Sequence, residues 1–234
     1  AQANALGGLG DAYYLRGRLR TAHDQFRRCV ELARRGGFGR IEVANLHMVG
    51  WTAHALNRFR QALSISDECL RLAQAVSHRR VELITRALVM VVRGWILGEV
   101  AEAERHGEIA LPLAQSLGAT RFEGQVRTYQ AQLALRAGDR ERAQGLAREA
   151  LGFCRRHGMA FFGPVVLGLV ARLSGDEGER AACHREALSQ LDAGAISHAH
   201  LEFLAHAIDG ALERDAWDEA EAMCDRLERY TAAE

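Results

Sequence analysis

The chain has 234 residues, 48% of them apolar and 26% charged, and its 30 basic and 30 acidic residues cancel to a formal net charge of zero. That length suits one or two globular domains with a large buried interior, and the charge balance argues against a general nucleic-acid binder, which needs a basic excess to neutralise phosphates. The longest apolar stretch, Leu88–Val92, is bounded by Arg86 and Arg93, far short of a membrane span. All 30 basic residues are arginine and none is lysine, a bias that reads as genomic composition rather than phosphate binding. Cys29, Cys69, Cys154, Cys183 and Cys224 are odd in number, form no C-x-x-C pair and accompany no signal-peptide pattern, so a reduced, cytoplasmic protein is expected. Cys29 and Cys69 stand where Ala110 and Ala150 stand in later units and read as small buried packing residues.

Along the chain, a small or turn-forming residue repeatedly precedes an alanine that opens an apolar helical stripe: Gly17/Ala22, Asn57/Ala62, Gly98/Ala103, Gly138/Ala143, Gly175/Ala181 and Asp215/Ala220. The alanines are spaced 40, 41, 40, 38 and 39 residues apart. A fixed period of this length marks a helical-repeat array, whose units stack because none can bury its apolar face alone. In the first unit Leu6, Leu9, Gly10 and Tyr13 follow the i, i+3, i+4, i+7 pattern of one helix, and Ala22, Phe26, Cys29, Val30 and Ala33 that of a second. Gly17 can take the left-handed conformation that ends a helix, and Asn57, Gly98 and Gly138 share its register. In five units the last small residue of the first helix lies nine residues before the alanine of the second, as in Tyr13–Ala22 and Ala53–Ala62. The fifth unit has ten, Ala171–Ala181, with an enlarged turn expected at Gly175–Gly178. Pro112 is expected to kink or end its helix, Pro164 to open one, Ser197 to cap one, and Trp217 to pack in the core.

Leu6-x2-Leu9-Gly10-x2-Tyr13 followed by Ala22-x3-Phe26 resembles the tetratricopeptide-repeat signature, with Leu6 in place of its tryptophan. The second unit keeps Leu46, Val49, Gly50 and Ala62, the fifth keeps Leu167 and Gly168, and the others keep mainly the alanine and its turn. The closing proline of the signature is absent, and the period is near 40 rather than 34. The resemblance implies an all-α, right-handed α-solenoid of about six tetratricopeptide-like hairpins in a single repeat domain, 1–234. Its units are expected at about 1–37, 38–77, 78–118, 119–157, 158–194 and 195–234. Long repeats of this style are similar to those in bacterial signal-transduction ATPases, LuxR-type regulators and multidomain class III adenylate cyclases. No polar capping helix is evident at either end, so a piece of a longer protein is expected.

No catalytic motif stands out. Gly7-Gly8-Leu9-Gly10 lies inside a helical pattern rather than after a strand, and Gly36-Gly37-Phe38-Gly39 lacks the Lys-Ser/Thr of a phosphate loop. His198 and His200 are two apart, which on a helix turns them away from one another. The chain is therefore read as a non-enzyme with no cofactor and no metal. In tetratricopeptide arrays the first helices line a concave groove. By register, that groove would take Asp11 and Tyr14 from the first unit, His47, Trp51 and His54 from the second, Trp95 from the third, and Thr128 and Gln132 from the fourth. Asn4, Leu15, Leu88, Val92, Ile96, Gln125, Arg136, Phe162 and Arg172 would flank them. Trp51 and Trp95 either face the groove or pack between units, since aromatic side chains serve both ends.

The expected function is that of a protein- or peptide-binding module of a cytoplasmic bacterial regulatory or signalling protein. The alternative is a small-molecule effector-sensing domain that controls a linked output domain. No nucleic-acid or membrane partner is expected. Apolar terminal hairpins (Leu6, Leu9, Leu227, Tyr230) predict self-association.

Overall fold

A computed structural model describes residues 1–232; Ala233 and Glu234, with which the sixth expected unit closes, lie outside the described residues. The fold is all-α, with no strand among the described residues. The helices are α1 (Gln2–Leu15), α2 (Leu19–Arg35), α3 (Gly39–Ala55), α4 (Phe59–Ala75), α5 (Arg79–Val89), α6 (Val100–Ser116), α7 (Thr120–Arg136), α8 (Arg140–His157), α9 (Gly163–Leu173), α10 (Glu177–Asp192), α11 (Ser197–Leu212) and α12 (Trp217–Thr231). A π-helical turn, Met90–Ile96, extends α5. Consecutive helices form repeated hairpins, and no described helix is long and apolar enough to cross a membrane.

Five of the six hairpin turns carry a positive-φ residue; the fifth, where Ser174 is extended at φ −73°, does not. Gly17, Asn57, Gly98, Gly138 and Asp215 all have positive φ, as do Gly37, Ser77 and Gly118 between hairpins. Three or four residues beyond the helix, a backbone N–H donates to a carbonyl of the last turn: Arg18 to Tyr13, Phe38 to Ala33, Arg58 to Ala53, His78 to Ala73, Asp139 to Ala134 and Ala216 to Ala211, at 2.7–3.0 Å. This is the Schellman arrangement, which satisfies carbonyls that a helix end otherwise leaves open. Tyr13, Ala53, Ala134 and Ala211, read from the sequence as packing positions, are thus also the acceptors of the reversal.

The chain divides into two compact units, the first ending at Phe122 and the second beginning at Glu123, so the division falls early in α7. The first unit's core contains Ala22, Phe26, Val30, Val43, Leu46, Val49, Cys69, Ala73 and Val81, with Tyr13, Tyr14, Met48, Ile65 and Leu72 packed against them. Ala22, Ala62 and Ala103 are fully buried, as is Ala143 in the second unit. A fully buried methyl group lets paired helices approach closely. Gly10 extends the same logic, because a Cβ there would sit 2.7 Å from the Phe26 ring. Cys29 and Cys69 are buried as expected, and burial pushes the Cys69 thiol up to about 11.

Several sequence expectations need correction. The ten-residue spacing of the fifth unit does not exist structurally: Arg180 N–H bonds to the Asp176 carbonyl as Ala22 does to Arg18, so Arg180, nine residues after Ala171, holds the register position and Ala181 does not. The extra residue of the 41-residue spacing appears instead as the π-helical turn, where Leu97 N–H reaches back five residues to Val92. α6 continues through Pro112, which sits on the exposed face, so the Glu108 carbonyl it frees is turned toward water. Pro164 does open α9, as its second residue. Ser197 is the first residue of α11 and Ile196 its cap. Trp217 is 64% exposed rather than packed in the core: it is the first residue of α12, whose buried position is Ala220.

The shared turn makes a measurable distinction. Ser77 holds φ 54° without glycine's freedom, whereas Asn57 at φ 59° is a residue type that tolerates this region. Ser77→Gly is expected to stabilise the protein by about 1 kcal/mol and Asn57→Gly by less, read from urea denaturation midpoints.

Candidate functional site

The eight residues expected in the groove divide between the units, six in the first and two in the second. In the first, Asp11 is exposed on α1, and partial desolvation pushes its carboxyl up from the ordinary value. Tyr14 is half-buried against the core. His47, Trp51 and His54 share one face of α3, spaced i, i+4, i+7. Trp51 is only 6% exposed and meets the His54 ring edge-on, with centroids 6.0 Å apart. His54 also packs on Phe59 at 5.8 Å. The Nδ1 atoms of His47 and His54 are buried with no hydrogen-bond partner among the described residues. Burial holds both rings down to about 4, so they are neutral at pH 7. Trp95 is half-buried on the π-helical turn.

In the second unit the expected groove residues lie inside. Thr128 is fully buried, and its hydroxyl donates to the Gly124 carbonyl of its own helix at 2.8 Å. Gln132 is 2% exposed, and its amide nitrogen donates to His206 Nε2 at 2.7 Å, which places the His206 proton on Nδ1. One turn along α7, the Tyr129 hydroxyl donates to Glu202 Oε1 at 3.0 Å and accepts from Gln125 Nε2 at 3.2 Å. The Tyr129 ring stands edge-on to Phe162, centroids 5.3 Å apart. The face of α7 that carries Gln125, Tyr129 and Gln132 is therefore covered by Glu202 and His206 of α11 and by Phe162, which caps α9. Thr128 and Gln132 are therefore buried rather than presented on an exposed face. Leu88, Val92, Gln125 and Phe162 are likewise buried, and Arg172 is held by Asp209 and Glu213, both at 2.6 Å.

This polar seam is unusual in what it leaves open. Gln125 Oε1, Gln132 Oε1 and Glu202 Oε2 are buried and have no hydrogen-bond partner among the described residues. Buried polar atoms are nearly always paired, so three open ones on facing helices call for a partner. Burial pushes the Glu202 carboxyl up to about 8, against a smaller opposing effect of the Tyr129 hydrogen bond. Burial with Arg172 nearby pushes His206 down to about 3. At pH 7 the seam is therefore uncharged. The sequence reading missed Glu202 and His206. Their signal is His198, Glu202 and His206 at i, i+4, i+8, a polar stripe within an apolar helix. No group of three or more His, Cys, Asp or Glu among the described residues is placed to hold a metal.

Residues 1–75, which span α1 to α4, match the tetratricopeptide repeat family. No curated protein matches this sequence. Among solved structures, the fold is similar to the crystal structure of BtubC (BKLC) from P. vanneervenii, with a TM-score of 0.57 and 20% identity over 92% of this chain and 91% of that one. At that identity the likeness concerns the fold alone.

Two consequences can be measured. Trp51→Ala should cost about 3–5 kcal/mol of stability, because the indole it removes is buried; chemical denaturation of the variant checks this. Glu202 binds its proton more tightly folded than unfolded, so its contribution is complete below about 4.5 and is lost as pH rises through about 8. The depressed histidines act in the opposite sense, and only below their unfolded value of 6.5. Between pH 6.5 and 8 the wild type should therefore lose stability relative to Glu202→Gln, with the gap widening as pH rises. Paired denaturation curves across that window give the slope.

Proposed function

We propose that this chain is a protein-binding repeat module of a cytoplasmic bacterial regulatory or signalling protein. The tetratricopeptide match over residues 1–75 supports the class, since repeats of this family generally mediate protein–protein interaction. The observation that carries the reading for this chain is on α1. Leu9 and Leu15 are 48% and 52% exposed there, on the same helix as the exposed Asp11 and the half-buried Tyr14. Asp11, Tyr14 and Leu15 stand at i, i+3, i+4 on one side of α1, with Leu9 on another, and a large apolar side chain beside a carboxylate and a tyrosine is the composition of a protein-contact surface. The working surface is accordingly assigned to α1 rather than to the buried faces of α3 and α7. Leu6, Leu227 and Tyr230 are half-buried, and Tyr230 stacks on His200 at 4.0 Å, so of the four residues expected to drive self-association Leu9 is the most exposed.

A second reading, a small-molecule effector-sensing domain, is favoured by one observation, the buried seam with three open oxygens. It is compatible with the first, because a ligand that binds one conformation better than another biases whatever is attached.

A photo-crosslinking residue at position 15 tests the protein-binding assignment. Irradiated cells should yield one discrete adduct, which Asp11→Arg abolishes and which the same probe at the exposed position Glu141 does not form. An adduct of twice the chain mass would identify the partner as a second copy. No adduct, or identical adducts from both positions, would remove α1 from the interface.

A further inference from the structure

We propose that the seam between α7 and α11 is a binding site for a small organic ammonium, held by Glu202 and Gln125 around the Tyr129 hydroxyl, with Gln132 meeting a second donor of the ligand. This rests on the effector reading above and not on the protein-binding one. The donor and acceptor inventory selects the class. With Tyr129 OH donated to Glu202 Oε1, and one N–H each of Gln125 and Gln132 donated to Tyr129 and His206, the two amide oxygens and, once ionised, Glu202 Oε2 remain open as acceptors. Three acceptors on facing helices ask for a ligand that brings N–H donors. A carboxylate also asks for a positive charge, and a charge-assisted pair is stronger than a neutral one.

Among the described residues nothing supplies that charge. No cation there is paired with Glu202, and the sequence contains no lysine, so no internal ammonium side chain exists to fill the place. Arginine is abundant, but the nearby Arg172 is already bound to Asp209 and Glu213. The Tyr129 and Phe162 rings wall the seam with aromatic surface, which also favours a cation.

The spacing suggests the ligand's shape. Gln125 Oε1 and Glu202 Oε2 both belong to side chains bonded to one hydroxyl. Gln132 and His206 lie about one helical turn, roughly 5 Å, further along α7 and α11. A short diamine or amino alcohol reaches from one set to the other.

Binding carries a proton signature. The carboxyl of the free site is protonated at pH 7, and a bound ammonium would ionise it. Tyr129 is the titratable group touching Glu202 from α7, His198 and His206 flank it one turn away on α11, and Arg172 of α9 lies beyond His206. With both flanking histidines buried and His206 held neutral, the released proton is traceable to Glu202.

The test uses the whole chain with 1,3-diaminopropane, propylammonium, 1-propanol and propionate. Diaminopropane should raise the melting temperature saturably, propylammonium less, and the alcohol and the acid not at all. Calorimetry at pH 7 in buffers of different ionisation enthalpy should show close to one proton released. Glu202→Gln should weaken binding about tenfold or more and abolish the release, and Gln125→Leu should weaken binding while keeping the release. If Glu202→Gln does not fold, proton release in the wild type together with Gln125→Leu decides the matter. Stabilisation by propionate or propanol that Gln125→Leu removes would overturn the ammonium assignment while leaving an effector site in place. No stabilisation by any of the four, or stabilisation unaffected by both variants, would overturn the site.

Discussion

The backbone reversal that ends most of the helices is the constraint from which the rest of this structure follows. A residue in the left-handed region turns the chain, and in four of the hairpins the N–H after it closes on the carbonyl of an alanine or tyrosine in the last helical turn. Only a few residue types enter that region cheaply, so glycine, asparagine, aspartate or serine appears at each reversal of this kind. Because the reversal is so short, the next helix begins at once, and its fourth residue lies directly against the first helix. Ala22, Ala62, Ala103 and Ala143 occupy that place and are fully buried. Turn geometry and close packing thus impose one composition, which is why the period shows in the sequence at all.

The hairpins were legible because both of their requirements are written in residue type. Gly17, Asn57, Gly98 and Gly138 all take the conformation their register implied. Reading failed where a backbone event substitutes for a side-chain signal. At Arg180 the register is kept by a hydrogen bond to Asp176, and the neighbouring Ala181 is a decoy. At Met90–Ile96 the ladder widens to i→i+5, an event with no residue signature, and a face inferred from a 3.6-residue period is rotated away beyond it. Trp95 sits in that stretch. Pro112 misled for a different reason: on an exposed helix face water replaces the lost hydrogen bond.

The site was less legible than the fold. Register correctly grouped His47, Trp51 and His54 on one face, and Gln125, Thr128 and Gln132 on another, but it says nothing of what covers a face. Glu202 and His206 come from α11, more than seventy residues later, and turn the α7 face into an interior. That pairing between the first helices of alternate hairpins is a long-range fact, invisible to any local pattern. Trp51 shows the same limit from the other side. Its amphipathic character suited a groove and a core equally, and burial chose the core.

The π-helical turn also bears on how such a chain can change length. An α-helix that gains a residue must either rotate everything beyond it by about 100° or absorb the newcomer locally. Met90–Ile96 does the latter, and the spacing of 41 rather than 40 between Ala62 and Ala103 is its trace. The wide turn therefore acts as an expansion joint: the third hairpin carries one residue more than its neighbour while Ala103 still reaches its buried place. Losing a residue within Met90–Ile96 would restore an ordinary α-helical ladder and leave both flanks in register. The same loss in α3 or α7 would swing a buried face into solvent. The array is rigid in register nearly everywhere and forgiving along this one stretch.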